Sequence, residues 1–179
     1  QFQEANAILS IVATHKINKK NLIKVGFNTN GRNFFLNQRE AVSNVLKDKV
    51  KEEGDTRLSQ YFLQWKWDPS NKIRFQTGLH GQYFALNHSA ALEPRLGIRI
   101  QTGRTQFISA GYGLHSQTQP LGNYFARIRV GLDSIQPNRN LDFSKAQHYV
   151  VGYNIQFKQN WNFKIEAYYQ SLYAIPVSA

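Results

Sequence analysis

The residues of this chain that could do chemistry are five histidines, a thin scatter of carboxylates and several serines, and their spacing argues against most of that chemistry. A hydrolytic nucleophile needs a base within hydrogen-bond reach. His88 directly precedes Ser89 and His115 directly precedes Ser116, and neighbours on a strand point to opposite faces. A His-any-Ser spacing would set the two side by side, and neither site has it. Zinc asks for closely spaced ligands on one element plus a distant partner. His80 and His88 fall on opposite sides of a strand end, and His15, His115 and His148 stand isolated. Gly111-Tyr112-Gly113 lacks the further glycine and the helix of a phosphate loop, and reads as small residues in a crowded strand. The chain has no cysteine, which removes thiolate metal sites, disulfides and a cysteine nucleophile. The expectation is a binding protein and not an enzyme, with no catalytic residue, no metal and no cofactor.

Two groups of residues suit binding. Arg74, Glu93, Arg95, Arg99, Lys164 and Glu166 lie on the polar sides of successive strands, and charges in a confined wall need partners. Those partners are either a domain filling the interior, or each other and water. The polar stretch from His115 to Tyr124 offers His115, Gln117, Gln119, Asn123 and Tyr124 as hydrogen-bonding and stacking groups for a ligand. The plainer reading of that stretch is a structural loop packed on a rim.

The elements that must position these groups are strands. Tyr149, Val151, Tyr153, Ile155 and Phe157 alternate with His148, Gly152, Asn154 and Gln156, and Val150 is the one exception. Phe163, Ile165, Ala167 and Tyr169 then alternate with Lys164, Glu166, Tyr168 and Gln170 across a polar break at 158–160. The same period of two runs through Tyr61 to Trp67, Ile73 to Leu79, Pro94 to Ile100 and Gln106 to Leu114. It is noisier in Leu9, Ile11 and Ala13 and in Ile23, Val25 and Phe27. The spacing predicts about eight strands. Short turns (18–21, 68–72, 102–105, 158–161) alternate with long connections (31–56 and 115–146), and a short one at 87–91 breaks the rule. Inside the first long connection Val42, Val45, Leu46 and Val50 recur at helical spacing, which fits a small helix or a solvated, charged loop.

Composition agrees. Of 179 residues, 41% are hydrophobic, 18% charged and 13% aromatic, with 12 Phe and 9 Tyr but only five prolines. That excess suits strands and the aromatic girdles of a membrane barrel. The net charge of +11 is spread singly, apart from a loose group at Lys16, Lys19, Lys20 and Lys24, so no nucleic-acid face is expected. No stretch reaches the roughly 18 apolar residues of a membrane helix. The start at Gln1-Phe2-Gln3-Glu4 has no leader character, so a leader has been removed or the chain begins inside a longer protein.

The faces decide the class. A soluble barrel hides its apolar face, whereas a membrane barrel turns it toward lipid and lines its interior with polar or small residues. Here the polar face carries whole charges, and Trp65, Trp67, Tyr153, Phe157 and Tyr169 sit near strand ends on the apolar face. An all-β, antiparallel transmembrane β-barrel is therefore expected, as one partial barrel domain over 1–179.

The segments Leu92-Glu93-Pro94-Arg95-Leu96-Gly97-Ile98-Arg99, Ala110-Gly111-Tyr112-Gly113-Leu114-His115-Ser116-Gln117-Thr118-Gln119-Pro120-Leu121, Lys145-Ala146-Gln147-His148-Tyr149-Val150-Val151-Gly152-Tyr153 and Lys164-Ile165-Glu166-Ala167-Tyr168-Tyr169-Gln170 add a resemblance. In this order they resemble the barrel of TonB-dependent outer-membrane receptors, in the subgroup with a carboxypeptidase-regulatory-like front domain. The likeness is firm over 92–177 and rests on strand rhythm alone over 7–91. It implies energised uptake of a nutrient ligand through a plugged barrel of about 22 strands in the bacterial outer membrane. The implied partners are outer-membrane lipid, the plug and remaining strands, the TonB complex and an unnamed ligand. The chain departs from the pattern in having no plug, too few strands and no aromatic residue at its end, Pro176-Val177-Ser178-Ala179. It reads as a fragment of the larger barrel, unable to transport alone. The rival is a complete small barrel of about eight strands with a structural or adhesion role; a soluble lipocalin-like barrel comes third.

Overall fold

A computed structural model describes the backbone of residues 2–42, 45–131, 133–157 and 161–176. Its elements in chain order are β1 (Phe2–Asn18), β2 (Asn21–Val42), β3 (Val45–Ser70), β4 (Ile73–Phe84), β5 (Ser89–Gln101), β6 (Gln106–Gln117), α1 (Leu121–Tyr124), β7 (Ile128–Val130), β8 (Asp133–Ile135), β9 (Ser144–Phe157) and β10 (Trp161–Tyr173). Eight of the strands form one antiparallel sheet, each beside its predecessor, except that β9 pairs with β6 while β7 and β8 make a ribbon of their own. Side-chain acceptors close the short turns: Asn18 Oδ1 takes the Lys20 N–H at 2.8 Å, and Ser70 Oγ takes the Lys72 N–H at 3.3 Å. The fourth short turn, at 158–160, lies outside the described residues.

Register turns the alternation of single strands into two continuous faces. One row runs from Ile23 through Trp65, Thr77, Leu96, Tyr112 and Tyr149 to Tyr169, and the next from Val25 through Leu63, Leu79 and Pro94. The opposite face carries Arg74 beside Arg99, His80 beside Glu93, Gly113 beside His148 and Gly152 beside Glu166. The apolar face is exposed along its length, and the polar face is mixed, with the Arg95 side chain 40% exposed beside a buried carboxylate. Leu96 is 55% exposed and Val151 57%, while Glu93 on the polar face is 1% exposed. A single sheet with that inversion curls around its polar face and offers its apolar face to a nonpolar solvent. This is the membrane-barrel arrangement, and it excludes the soluble one.

The apolar side chains of β5 from Leu92 to Ile100 match the roughly 9–11 residues of a transmembrane strand. Aromatic contacts run across the band. Trp67 stacks between Trp65 and Phe75 at 5.8 and 5.4 Å beside the short turns, and Tyr149 lies between Tyr112 and Tyr169 at 5.1 and 6.0 Å farther up.

Above this belt the strands change character without losing register. On β2, Ile23, Val25 and Phe27 face outward, but Phe34 and Leu36 face inward, and the pairing with β3 runs unbroken from Asn21 to Gln38. Phe34, Leu36, Val50 and Phe84 meet Leu121, Tyr124, Phe125 and Phe143 from the β6–β9 connection in a buried core. That connection therefore folds back over the polar face and forms a crown.

One expectation needs correction. The stretch 31–56 is neither a loop nor a helix: β2 continues to Val42 and β3 begins at Val45, so the supposed helical repeat is the tip of a long hairpin. Hydrogen bonding between adjacent long strands outweighs a weak helical spacing. The sheet is also open, with β1 and β10 as its margins and no pairing between them among the described residues. A complete small barrel would have joined them.

Candidate functional site

The polar face is built from side chains that alternate with the lipid-facing ones, so every group on it is aimed by the same pleat. Its best-connected member is Glu93. The His80 ring lies 3.0 Å from Glu93 Oε2, Arg95 Nη2 donates to the same oxygen at 2.9 Å, and the Ser116 N–H donates to Oε1 at 2.9 Å. Gln82 donates to Glu93 Oε1 and, at 2.9 Å, to the Ser116 carbonyl. A carboxylate this deeply buried is tolerated because each oxygen has several donors. The chain of contacts continues through Arg95 to His115 at 3.4 Å, from His115 edge-on to His148 at 4.6 Å, and on to Tyr168 and Gln170. Polar contacts thus cross the sheet from β4 to β10.

The other interior charges pair locally. Arg74 holds Asp68 with two hydrogen bonds at 2.8 and 3.3 Å, and Lys164 lies 2.8 Å from Glu166. Arg99 has no carboxylate among the described residues; its guanidinium lies over the Phe107 ring, 3.4 Å from the centroid. Glycines leave room for this crowding. A Cβ on Gly152 would stand 2.9 Å from Ser109 Oγ, and one on Gly113 3.0 Å from the His115 ring. The reading of Gly111-Tyr112-Gly113 as small residues in a crowded strand agrees with that geometry.

The stretch His115 to Tyr124 divides. His115 and Gln117 belong to β6, so the connection begins only at Thr118. Gln117 and Asn123 are exposed. Gln119 is committed: its side chain donates to Ser144 Oγ at 2.6 Å and its N–H donates to the Tyr124 hydroxyl at 3.2 Å. Tyr124 is 1% exposed and packs against Phe84, so its ring is core and offers no open stacking surface. Burial raises its phenol above the usual range.

His115 and His148 are not isolated as the sequence suggested; the direct pairing of β6 with β9 brings them together across 32 intervening residues. His80, Gln82 and Ser116 were missed as partners of Glu93, because only register brings them near it. Among the described residues no group of three or more metal-binding side chains converges.

No family model matches the sequence, and no curated protein matches it significantly. Solved structures do. The siderophore receptor PirA from Pseudomonas aeruginosa superposes with a TM-score of 0.74 at 12% identity, over 94% of this chain and 32% of that one. This is the barrel fold of TonB-dependent outer-membrane receptors. PirA from Acinetobacter baumannii gives 0.69 at 12% identity over 94% and 27% of the two chains, and the ferric enterobactin receptor PfeA of P. aeruginosa gives 0.65 at 10% over 88% and 25%. The chain spans about a third or less of the length of these receptors. That fold resides in the outer membrane of Gram-negative bacteria, and in barrels of that kind short turns face the periplasm and long loops the exterior. In a barrel of that kind the crown would be the outer end and the short turns the inner rim.

Proposed function

We propose that residues 1–179 are one partial barrel domain of a TonB-dependent receptor for energised uptake of a nutrient ligand. The observation that carries this reading is the inversion of the sheet: an exposed apolar face, an opposite face of interlinked charged and polar side chains around the buried Glu93, and two open margins. Each margin is a ladder of unpaired backbone donors and acceptors that further strands of the same barrel would complete. The polar face would meet a plug through Arg74, Glu93, Arg95, Arg99, Lys164 and Glu166, several of which the wall itself already pairs. The TonB complex would act through that plug, and outer-membrane lipid would cover the apolar face. At the outer end, exposed Gln117 and Asn123 with half-buried His115 would touch ligand, while Gln119 and Tyr124 hold the crown in shape. The names of the superposing receptors make an iron chelate the first ligand to try.

The test has two parts. The barrel carrying these strands, purified in detergent, is titrated with ferric siderophores and followed by tryptophan fluorescence. Saturable binding that weakens about tenfold in Gln117→Ala/Asn123→Ala supports the ligand assignment. Binding that is unaffected by those changes moves the ligand site elsewhere. Separately, the 179-residue chain is refolded in micelles and run on a gel with and without boiling. A boiling-dependent shift would mean a closed barrel and overturn the wall-segment reading.

A further inference from the structure

The short-turn end of the polar face holds a cleft of about 630 Å³ where the β1–β2, β3–β4 and β5–β6 turns meet the ends of β5 and β9. Six cations line it, Lys19, Lys20, Lys72, Arg74, Arg99 and Arg104, against one carboxylate, Asp68. Asp68 is already occupied by Arg74 and Lys66, and Lys20 donates to the Pro69 carbonyl at 3.0 Å. No carboxylate among the described residues lies on Lys19, Lys72, Arg99 or Arg104. This inner rim therefore concentrates positive charge that the wall does not neutralise, in contrast to the paired charges higher up.

We propose that this cleft is a binding site for a multivalent phosphate anion. The Arg99 guanidinium carbon lies 3.4 Å from the centroid of the Phe107 ring, a contact that restrains the side chain without using its charge on a carboxylate. A fork held in that way suits two oxygens of one phosphate. Lys72 and Arg104 on adjacent turns supply charge to further oxygens, and the amides of Asn154 and Gln156 add neutral donors from β9. The volume is that of a small-molecule site, not of a groove for an extended acidic peptide. Arg74 and Arg99 point away from the lipid face, so a phosphate must enter from the interior or reach over the rim. Free polyphosphate and the headgroup of an anionic phospholipid share the required chemistry. The assignment concerns the end of the wall opposite the crown, narrows the plug contact proposed above to the interior charges other than Arg99, and does not depend on which ligand the crown takes.

The barrel carrying these strands, in micelles, is titrated calorimetrically with pyrophosphate. Saturable binding at micromolar to millimolar concentration is expected, weakening steeply with salt. Arg99→Gln and Arg104→Gln should each weaken it about tenfold, with Lys16→Gln, a cation outside the cleft, as an unchanged control. Equal loss in all three variants, or no saturable heat from the unmodified protein, overturns the site. Competition by sulfate against pyrophosphate on the unmodified protein tests the same point if a variant fails to fold, and absence of competition overturns it. Repeating the titration in nanodiscs separates the sources. Weaker pyrophosphate binding in phosphatidylglycerol than in phosphatidylcholine assigns the headgroup; equal binding assigns free phosphate. An acidic peptide that binds where pyrophosphate does not would overturn the phosphate assignment.

Discussion

The membrane belt and the crown are made by the same strands under opposite packing rules. In the belt the apolar side chains of β2, β3 and β4 point out, as Val25, Leu63 and Leu79 do, and are half exposed. In the crown Phe34, Leu36, Val50 and Phe84 point in and are buried, as in a soluble protein. The switch needs no bulge, because the β2–β3 register is continuous through it. It is written only in which parity of residue is apolar. The difference teaches that solvent, not strand geometry, selects the apolar face: lipid surrounds one part of each strand and water the other.

The comparison breaks most strongly at the crown. Phe84→Ala should cost about 3–5 kcal/mol locally. It should expose 118–143 to limited proteolysis while leaving the belt's resistance to denaturant in micelles intact; equal loss in both would mean that the two regions are one cooperative unit. Val151→Arg places a charge at mid-belt on the lipid face and should cost about 2–4 kcal/mol of stability in bilayers. The same change in protein held by amphipols should matter much less. Glu93→Gln, beneath the crown, removes charge-assisted bonds from Arg95 and His80 and should cost about 1–3 kcal/mol. It is read as faster hydrogen exchange at the β4–β5 amides, with no change in crown proteolysis.

The smallest effect concerns pH. Tyr124 has its phenol raised by burial, so the folded crown binds the proton more tightly than the unfolded one. Its contribution is complete below the ordinary phenol range and declines as pH rises through the raised value. Proteolysis of the crown should therefore quicken at strongly alkaline pH, and Tyr124→Phe should blunt that rise.

The belt was legible in the sequence because a period of two survives wherever one solvent faces one side. Every face assigned to the strands from Tyr61 onward, and to Ile23, Val25 and Phe27, agrees with the register. The crown was not, because the period changes phase between Phe27 and Phe34, and a change of phase looks like the end of a strand. Charged residues around Val42 to Val50 then suggested a loop or a helix where β2 and β3 continue. The site was legible in part. Glu93, Arg95 and Arg99 stood out as charges on a wall, but the other partners of Glu93, His80, Gln82 and Ser116, come from β4 and β6. Tyr124 suggested a ligand group because nothing in its local sequence tells a buried tyrosine from an exposed one.

The β2–β3 hairpin has a consequence for what approaches the cell. The pairing of β3 with β4 stops at Leu58, so residues 45–57 of β3 rise past their neighbour on that side. At ~3.3 Å per residue that is about 40 Å of ribbon. On its inner side the ribbon carries the crown, through buried Val50 and through bonds from Arg127 and Gln136 to Glu52. Whatever settles on this surface, a phage tail or an antibody, would strike that mast ahead of the wall, and a push at its tip would be levered down onto Phe34 and Leu36 at its foot.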